Sequence, residues 1–208
     1  MATSLAWTIP ASWPAVASKN AEASLADLSE AALIDACRAG RAGAFDVVVE
    51  RHRRSVYQLC YRFVGNHEDA SDLSQDVFLR AYKGLRSFRG QSSLATWLYR
   101  IGVNVCLNRV SASAPVDKMT EPIEERQYVD TRSESPADHL LRAERDARVR
   151  AAIAELPRKQ RATLILRVYH EMSHQEIADV LGSSVGAVKT NFFHALSNLK
   201  KRLGSQCI

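Results

Sequence analysis

Glycine and proline are scarce, with nine and six in 208 residues, while helix formers are plentiful. That balance argues for an all-α chain. No apolar run approaches the ~20 residues that a spanning helix needs, so no membrane insertion is expected. The four cysteines, Cys37, Cys60, Cys106 and Cys207, form no CxxC pair. Their spacing suits neither a disulfide framework nor a zinc site, and they read as reduced, mostly buried thiols in a cytoplasmic protein. The six histidines form no metal-spaced or triad-like set, and no Gly-rich phosphate loop is present. No catalytic residue, metal or cofactor is therefore expected, and the chain does not read as an enzyme. The N-terminal "MATSLAWTIPASWPAVASKN" lacks Lys or Arg before Lys19 and is interrupted by two prolines. It is a poor signal peptide and reads, over residues 1–24, as a disordered tail. Acidic residues are missing altogether between Asp76 and Asp117, an interval that holds Arg80, Lys83, Arg86, Arg89, Arg100 and Arg109. A stretch so one-sided in charge points to a polyanion-facing surface. The net charge of +5 and the pI of about 9.2 agree with an acidic partner such as nucleic acid.

What is present is helical periodicity, in two blocks. The first, residues 25–110, contains "LSEAALIDACRAG" with Ser29 as N-cap, then "AFDVVVERHRRSVYQLCYRFVG", stopped by Gly65. "HEDASDLSQDVFLRAYKGLRSF" follows, and "SSLATWLYRIGVNVCLNRV" begins after the break "RGQ". Short connections predict one compact bundle. Residues 111–137, with three prolines, many charges and no apolar period, read as a flexible linker. The second block, residues 138–208, contains "HLLRAERDARVRAAIAEL" and "PRKQRATLILRVYH", with Pro157 at a helix start.

The second block ends in "SHQEIADVLGSSVGAVKTNFFHALSNLKKRL". Ser173 and Glu176 form a capping-box pattern, and Gly182-Ser183-Ser184 is a tight turn in which a serine can cap the next helix. Val185, Val188, Phe192, Leu196, Leu199 and Leu203 recur at helical spacing as the expected buried stripe. Lys189, Thr190, Asn191, Phe193, His194 and Ser197 are left facing out. This is a helix-turn-helix pattern, whose second helix lies in the DNA major groove.

In the first block, Asp69, Asp72, Asp76, Arg80 and Lys83 share a polar helix face opposite Leu73, Val77, Ala81 and Leu85. The acids suit a helix N-terminus and also offer a docking surface for a basic partner. "DLSQDVFLRAYKGLRSFRGQSSLATWLYRIGVNVCLNR" resembles region 2 of the sigma-70 family of bacterial RNA polymerase sigma factors. "AELPRKQRATLILRVYHEMSHQEIADVLGSSVGAVKTNFFHALSNLKKRL" resembles region 4 of the same family. With no region 1.1 and no room for a folded region 3, the pattern is similar to the extracytoplasmic-function (ECF) group.

The resemblance implies two small helical domains, a region 2 bundle and a region 4 helix-turn-helix domain. It also implies an alternative sigma factor that directs promoter-specific initiation. The implied partners are core RNA polymerase (β′ clamp helices and β flap), promoter DNA, and an anti-sigma factor that grips both domains. Core-polymerase contacts carry over to Asp69, Asp72, Gln75 and Asp76. The family often has a glutamate where this chain has Ser71, which points to weaker or regulated docking, with Ser71 as a phosphorylatable position. Recognition and melting of the −10 element carry over to Phe88, Arg89, Gln91 and Ser92 in the loop, and to Arg100, Asn104, Asn108 and Arg109 on the next helix. Trp97, flanked by Leu94, Leu98 and Ile101, reads as core. Recognition of the −35 element carries over to Ser184, Lys189, Thr190, Asn191, Phe193 and His194. Several members have arginine at the positions of Lys189, Asn191 and His194, which implies a different base preference. The alternative reading is a helix-turn-helix regulator that acts without polymerase docking. It explains residues 138–203 equally well, but not the acidic helix followed by a basic, Trp-bearing one.

Overall fold

The computed structural model describes residues 25–112 and 136–204, and every regular element among them is helical. Helix α1 spans Glu30–Arg38 and starts where Ser29 Oγ accepts the Ala32 N–H. Helix α2 spans Ala44–Val64 and stops at Gly65, whose φ of 77° admits a residue without Cβ and whose N–H returns to the Tyr61 carbonyl. Helix α3 spans His67–Gly84, with Asn66 accepting the Asp69 N–H as N-cap, and runs into a 3₁₀ turn, Leu85–Ser87. Helix α4 spans Leu94–Ala112. Its first turn is capped twice: Ser93 Oγ accepts from Thr96 N–H, and Glu30 of α1 accepts from Leu94 N–H at 2.9 Å.

Helices α2, α3 and α4 pack around Val56, Leu59, Phe63, Val77, Phe78 and Leu98, all buried. Each such side chain contributes roughly 1.5–3 kcal/mol on leaving water. Gly102 sets how closely α4 approaches: a Cβ there would lie 2.8 Å from Leu59 Cδ2.

The remaining helices are α5 (Pro136–Ala154), α6 (Arg158–Val168), α7 (His174–Leu181) and α8 (Val185–Leu203). Ile165, Leu166, Ile177, Val180 and Val188 form their core. Asn198 of α8 donates to Gln160 of α6 at 2.8 Å. The tail, 1–24, lies outside the described residues, as does 113–135, most of the interval 111–137 read as a linker. Helices α4 and α5 reach into that interval, to Ala112 and from Pro136.

The two helix groups do not stand apart. Their buried residues form one continuous apolar cluster, and α7 packs against α4. Arg161 of α6, only 7% exposed, donates to the Phe63 carbonyl at the end of α2. Arg158 donates to the Leu107 carbonyl at 3.1 Å, and the Arg62 guanidinium lies 3.9 Å from the centre of the Tyr169 ring. These contacts join residues far apart in sequence, so helical periodicity carried no sign of them.

Candidate docking and nucleic-acid surfaces

The acidic face of α3 follows from its two ends. Leu73, Val77, Ala81 and Leu85 are buried, so the opposite arc must face water. Asp69 does not stay free on that arc. It is fixed by Asn66 and ion-paired to Arg109 of α4 at 2.7 Å, with its side chain 15% exposed. Asp69 and Arg109, expected on separate surfaces, meet each other and tie α3 to α4. Asp72 is exposed, Gln75 and Asp76 are half-buried at its side, and Asp76 pairs with Arg80 at 2.9 Å across one turn. Leu79 and Tyr82 continue the same arc, 40% and 47% exposed. They were missed in the sequence, although their spacing of seven and ten from Asp72 places them on its face. The surface is therefore acidic towards the start of α3 and carries Leu79 and Tyr82 beside exposed Arg80 and Lys83 towards its end, a mixture that suits a protein partner better than acid alone.

The loop after the 3₁₀ turn is anchored at both ends. Phe88, expected among the base-reading residues, is 5% exposed. Its ring packs 5.0 Å from that of Trp97, and its carbonyl accepts from Arg38 of α1. It holds the loop and presents nothing to a base, because burying that ring against Trp97 removes apolar surface from water. Trp97 itself is half-buried and lies against Gly84, in keeping with its reading as core. Between the anchors, Gly90 takes a φ of 70°, Arg89 and Gln91 are exposed, and Ser92 is half-buried. A short tip on a fixed base is suited to reading an unpaired base.

Along α4, Arg100, Asn104 and Asn108 are exposed at intervals of four and share one face. Arg100 is occupied, donating to the Asp179 carbonyl of α7 at 2.5 Å. Nearby, His170 and the Tyr99 hydroxyl lie 3.2 Å apart. Burial, aided by the charge of Arg62, pushes the His170 imidazole down to about 4.

The helix-turn-helix pair is built by local chemistry. Ser173 Oγ accepts the Glu176 N–H while the Glu176 carboxylate accepts the Ser173 N–H, a reciprocal capping box. Those hydrogen bonds hold the Glu176 carboxyl below its ordinary range. Gly182 takes φ 57°, ψ 43°, and Ser184 Oγ caps α8 through the Ala187 N–H. On α8, Val188 and Ala195 are buried, with Val185, Phe192, Leu199 and Leu203 half-buried. Leu196 departs from the expected stripe and is 46% exposed. Ala195 rather than Leu196 lies on the line of Val188, Phe192 and Leu199, and a small side chain there lets α8 seat closely on α6. Lys189, Thr190, Phe193 and His194 are exposed and Asn191 half-buried. Thr190 Oγ1 is turned back to the Gly186 carbonyl at 3.0 Å. Phe193, 69% exposed, is an apolar probe beside Lys189.

Burial pushes the Cys37 thiol up to about 11, and the hydrogen bond to Cys60 together with burial raises Cys106 further. Both stay protonated and inert near neutral pH. Among the described residues no cluster of His, Cys, Asp or Glu could hold a metal, and no helix is long and apolar enough to cross a membrane.

Two family descriptions match the chain: sigma-70 region 2 over residues 48–114 and sigma-70 region 4 over residues 146–199. RNA polymerase sigma-H factor of Pseudomonas aeruginosa is 34% identical over 177 residues, 82% of this chain and 92% of that protein. The ECF RNA polymerase sigma factor SigW of Bacillus subtilis is 32% identical, over 79% of this chain and 91% of its own length. Among solved structures, CnrH in complex with the cytosolic domain of CnrY matches 85% of this chain and 98% of its own, with a TM-score of 0.62 and 26% identity. The sigma factor RpoE in complex with the anti-sigma factor NepR, from Bartonella quintana, shares the fold at a TM-score of 0.60 and 19% identity, over 79% of this chain and 99% of its own.

Proposed function

The chain belongs to the sigma-70 family of RNA polymerase sigma factors, in its ECF group, and from that premise we propose that it docks on core RNA polymerase and directs promoter-specific transcription initiation. One observation carries the reading. A single bundle presents an acidic and apolar docking face on α3 and, beyond it, an anchored loop with Arg89 and Gln91 at its tip. An autonomous helix-turn-helix regulator has no use for that combination.

In this reading residues 25–110 form the region 2 domain and residues 138–208 the region 4 domain, with residues 1–24 a tail and 111–137 a linker. Asp72, Gln75 and Asp76, flanked by Leu79 and Tyr82, meet the β′ clamp helices; the β flap is a second polymerase contact. Arg89, Gln91 and Ser92 read or hold an extruded base of the −10 element. Arg100, Asn104 and Asn108 follow the backbone phosphates. Lys189, Asn191, Phe193 and His194 enter the major groove at the −35 element, where an exposed ring can meet a thymine methyl. Ser184, whose hydroxyl accepts in the cap of α8 and keeps its own proton, is left for a phosphate contact, while Thr190 reaches a phosphate only by releasing the Gly186 carbonyl. Because Arg100 is held by the Asp179 carbonyl, engaging DNA there requires that hydrogen bond between α4 and α7 to open. An anti-sigma factor is a further partner, in keeping with the complex seen on this fold in the NepR-bound relative. The role is that of a non-enzymatic initiation factor acting in the cytoplasm, with no cofactor.

The test is a pull-down of core polymerase by the full chain and by Asp72→Arg and Asp76→Arg. Reversing the exposed Asp72 shifts stability by under ~0.5 kcal/mol, and Asp76→Arg also gives up the pair with Arg80, about 0.3–0.5 kcal/mol more, so loss of capture with native circular dichroism supports docking through α3. Undiminished capture by both variants refutes it.

A further inference from the structure

Helix α1 touches both ends of the loop that carries Arg89 and Gln91. At its last turn the Arg38 guanidinium donates to the Phe88 carbonyl, where the loop begins. At its first turn the Glu30 carboxylate accepts the Leu94 N–H at 2.9 Å, where the loop ends and α4 starts. Glu30 and Arg38 stand eight residues apart, so α1 spans about 12 Å between the two contacts.

Neither contact is demanded by α1 itself. An acid in the first turn and a base in the last already suit the helix dipole, and Arg38 has a local partner in Asp35 at 3.3 Å. The contacts to the loop join residues 50 and 64 apart in sequence. Each involves a charged group, which makes it the stronger class of hydrogen bond. The Glu30 carboxylate also stands at the N-terminus of α4, where negative charge is favoured. Helix α1 is a fixed base for these contacts. Leu33 and Ile34 are buried, and Arg51 of α2 donates to the Ala26 and Leu28 carbonyls at 2.6 and 2.7 Å, just ahead of α1. Between the two ends lie residues 89–93, with Gly90 at φ 70° and Arg89, Gln91 and Ser93 exposed. A segment this short, with both ends set by one helix, has few ways to place its tip.

We infer that α1 positions this loop for promoter opening, with Glu30 and Arg38 as positioning residues that act through Arg89 and Gln91, a role that rests on the reading of the loop as the −10 contact. Arg38 fixes where the chain leaves the 3₁₀ turn, and Glu30 fixes where it enters α4. Loss of either lets one end of the loop drift, and the side chains at its tip then meet an extruded base less often in the productive geometry.

The test compares Glu30→Ala and Arg38→Ala with two conservative variants. Glu30→Gln can still accept the Leu94 N–H, and Arg38→Lys can still donate to the Phe88 carbonyl. The readouts are amide hydrogen exchange in the full free chain and permanganate footprinting of the holoenzyme on a cognate promoter. Glu30→Ala should speed exchange at Leu94, and Arg38→Ala at Phe88, each roughly tenfold or more, the effect of one lost charge-assisted hydrogen bond. Both should slow promoter opening about tenfold while capture of core polymerase stays parental, and the conservative variants should recover most of both effects. Added to Arg89→Ala with Gln91→Ala, Arg38→Ala should slow opening little further, because the groups it positions are already gone. A purely structural role would instead lower capture along with opening, and its loss would multiply with that of the loop variant. Parental exchange in both alanine variants, parental opening by them while the loop variant is impaired, reduced capture, or multiplying losses each overturn the positioning role. Normal opening by the loop variant alone overturns the reading of the loop, and the role of α1 falls with it.

Discussion

Replacing Gly182 isolates the backbone cost of the turn that aims α8. The residue sits at φ 57°, ψ 43°, and an added Cβ would meet no atom within 4 Å. Steric crowding by neighbours is thereby removed from the problem, and the left-handed conformation itself remains. For a residue with a Cβ that conformation costs roughly 1–2 kcal/mol. Gly182→Ala should therefore lose about 1 kcal/mol and Gly182→Val, β-branched, about 2 kcal/mol, while Gly182→Asn should lose less than alanine. The hydrogen bond from Ser183 N–H to the Ala178 carbonyl, 2.9 Å, resists any relaxation to right-handed geometry. Urea unfolding followed by circular dichroism is the assay. With a slope of about 1–3 kcal/mol per molar, alanine should lower the midpoint by roughly 0.3–1 M and leave the slope unchanged. Binding of promoter DNA by the holoenzyme should fall further than core-polymerase binding, since α8 changes its angle and α3 does not. Refutation is simple: alanine and valine variants as stable as the parent mean that the turn does not depend on a left-handed residue.

Other outcomes follow from the same geometry. His170 is held neutral in the packed arrangement, so its contribution is complete above the ordinary value near 6.5 and is lost as pH falls toward 4. Its contribution to unfolding free energy should drop by about 1.4 kcal/mol between pH 7.5 and 5.5, with His52, also lowered by burial, adding in the same direction, and His170→Phe should remove the His170 share; an unchanged slope refutes it. Arg89→Ala with Gln91→Ala should impair promoter opening, read by permanganate footprinting, more than polymerase binding; normal opening by the double variant counts against the loop. Lys189→Ala and His194→Ala should each lower transcription from promoters that need an upstream element, by about 1–3 kcal/mol of discrimination for a base contact. Parental rates across a salt series would remove α8 as the upstream reader.

Features written in neighbouring residues were legible before the structure. The Ser173–Glu176 capping box, the stop at Gly65 and the turn at Gly182 each depend on atoms within a few residues. Periodicity likewise named Leu73, Val77, Ala81 and Leu85 as the inward face of α3. Phe88 was misplaced because its burial depends on Trp97 and on Arg38, fifty residues upstream. Leu196 was misplaced by a fraction of a helical turn, which periodicity does not resolve and the seating of Ala195 does. The pairings Asp69–Arg109 and Arg100–Asp179 join charges or carbonyls 40 and 79 residues apart, and nothing local announces them. Those same pairings decide which of the expected surface groups are engaged within the chain.

The central claim is that this chain supplies promoter specificity to a polymerase that lacks it. Run-off transcription on genomic fragments, with purified core polymerase and the full chain added separately and together, tests it directly. The account predicts discrete transcripts from a few fragments only when both are present, and their loss with Asp72→Arg combined with Asp76→Arg. A chain that binds duplex promoter fragments tightly by itself, and leaves the products of core polymerase unchanged, contradicts it.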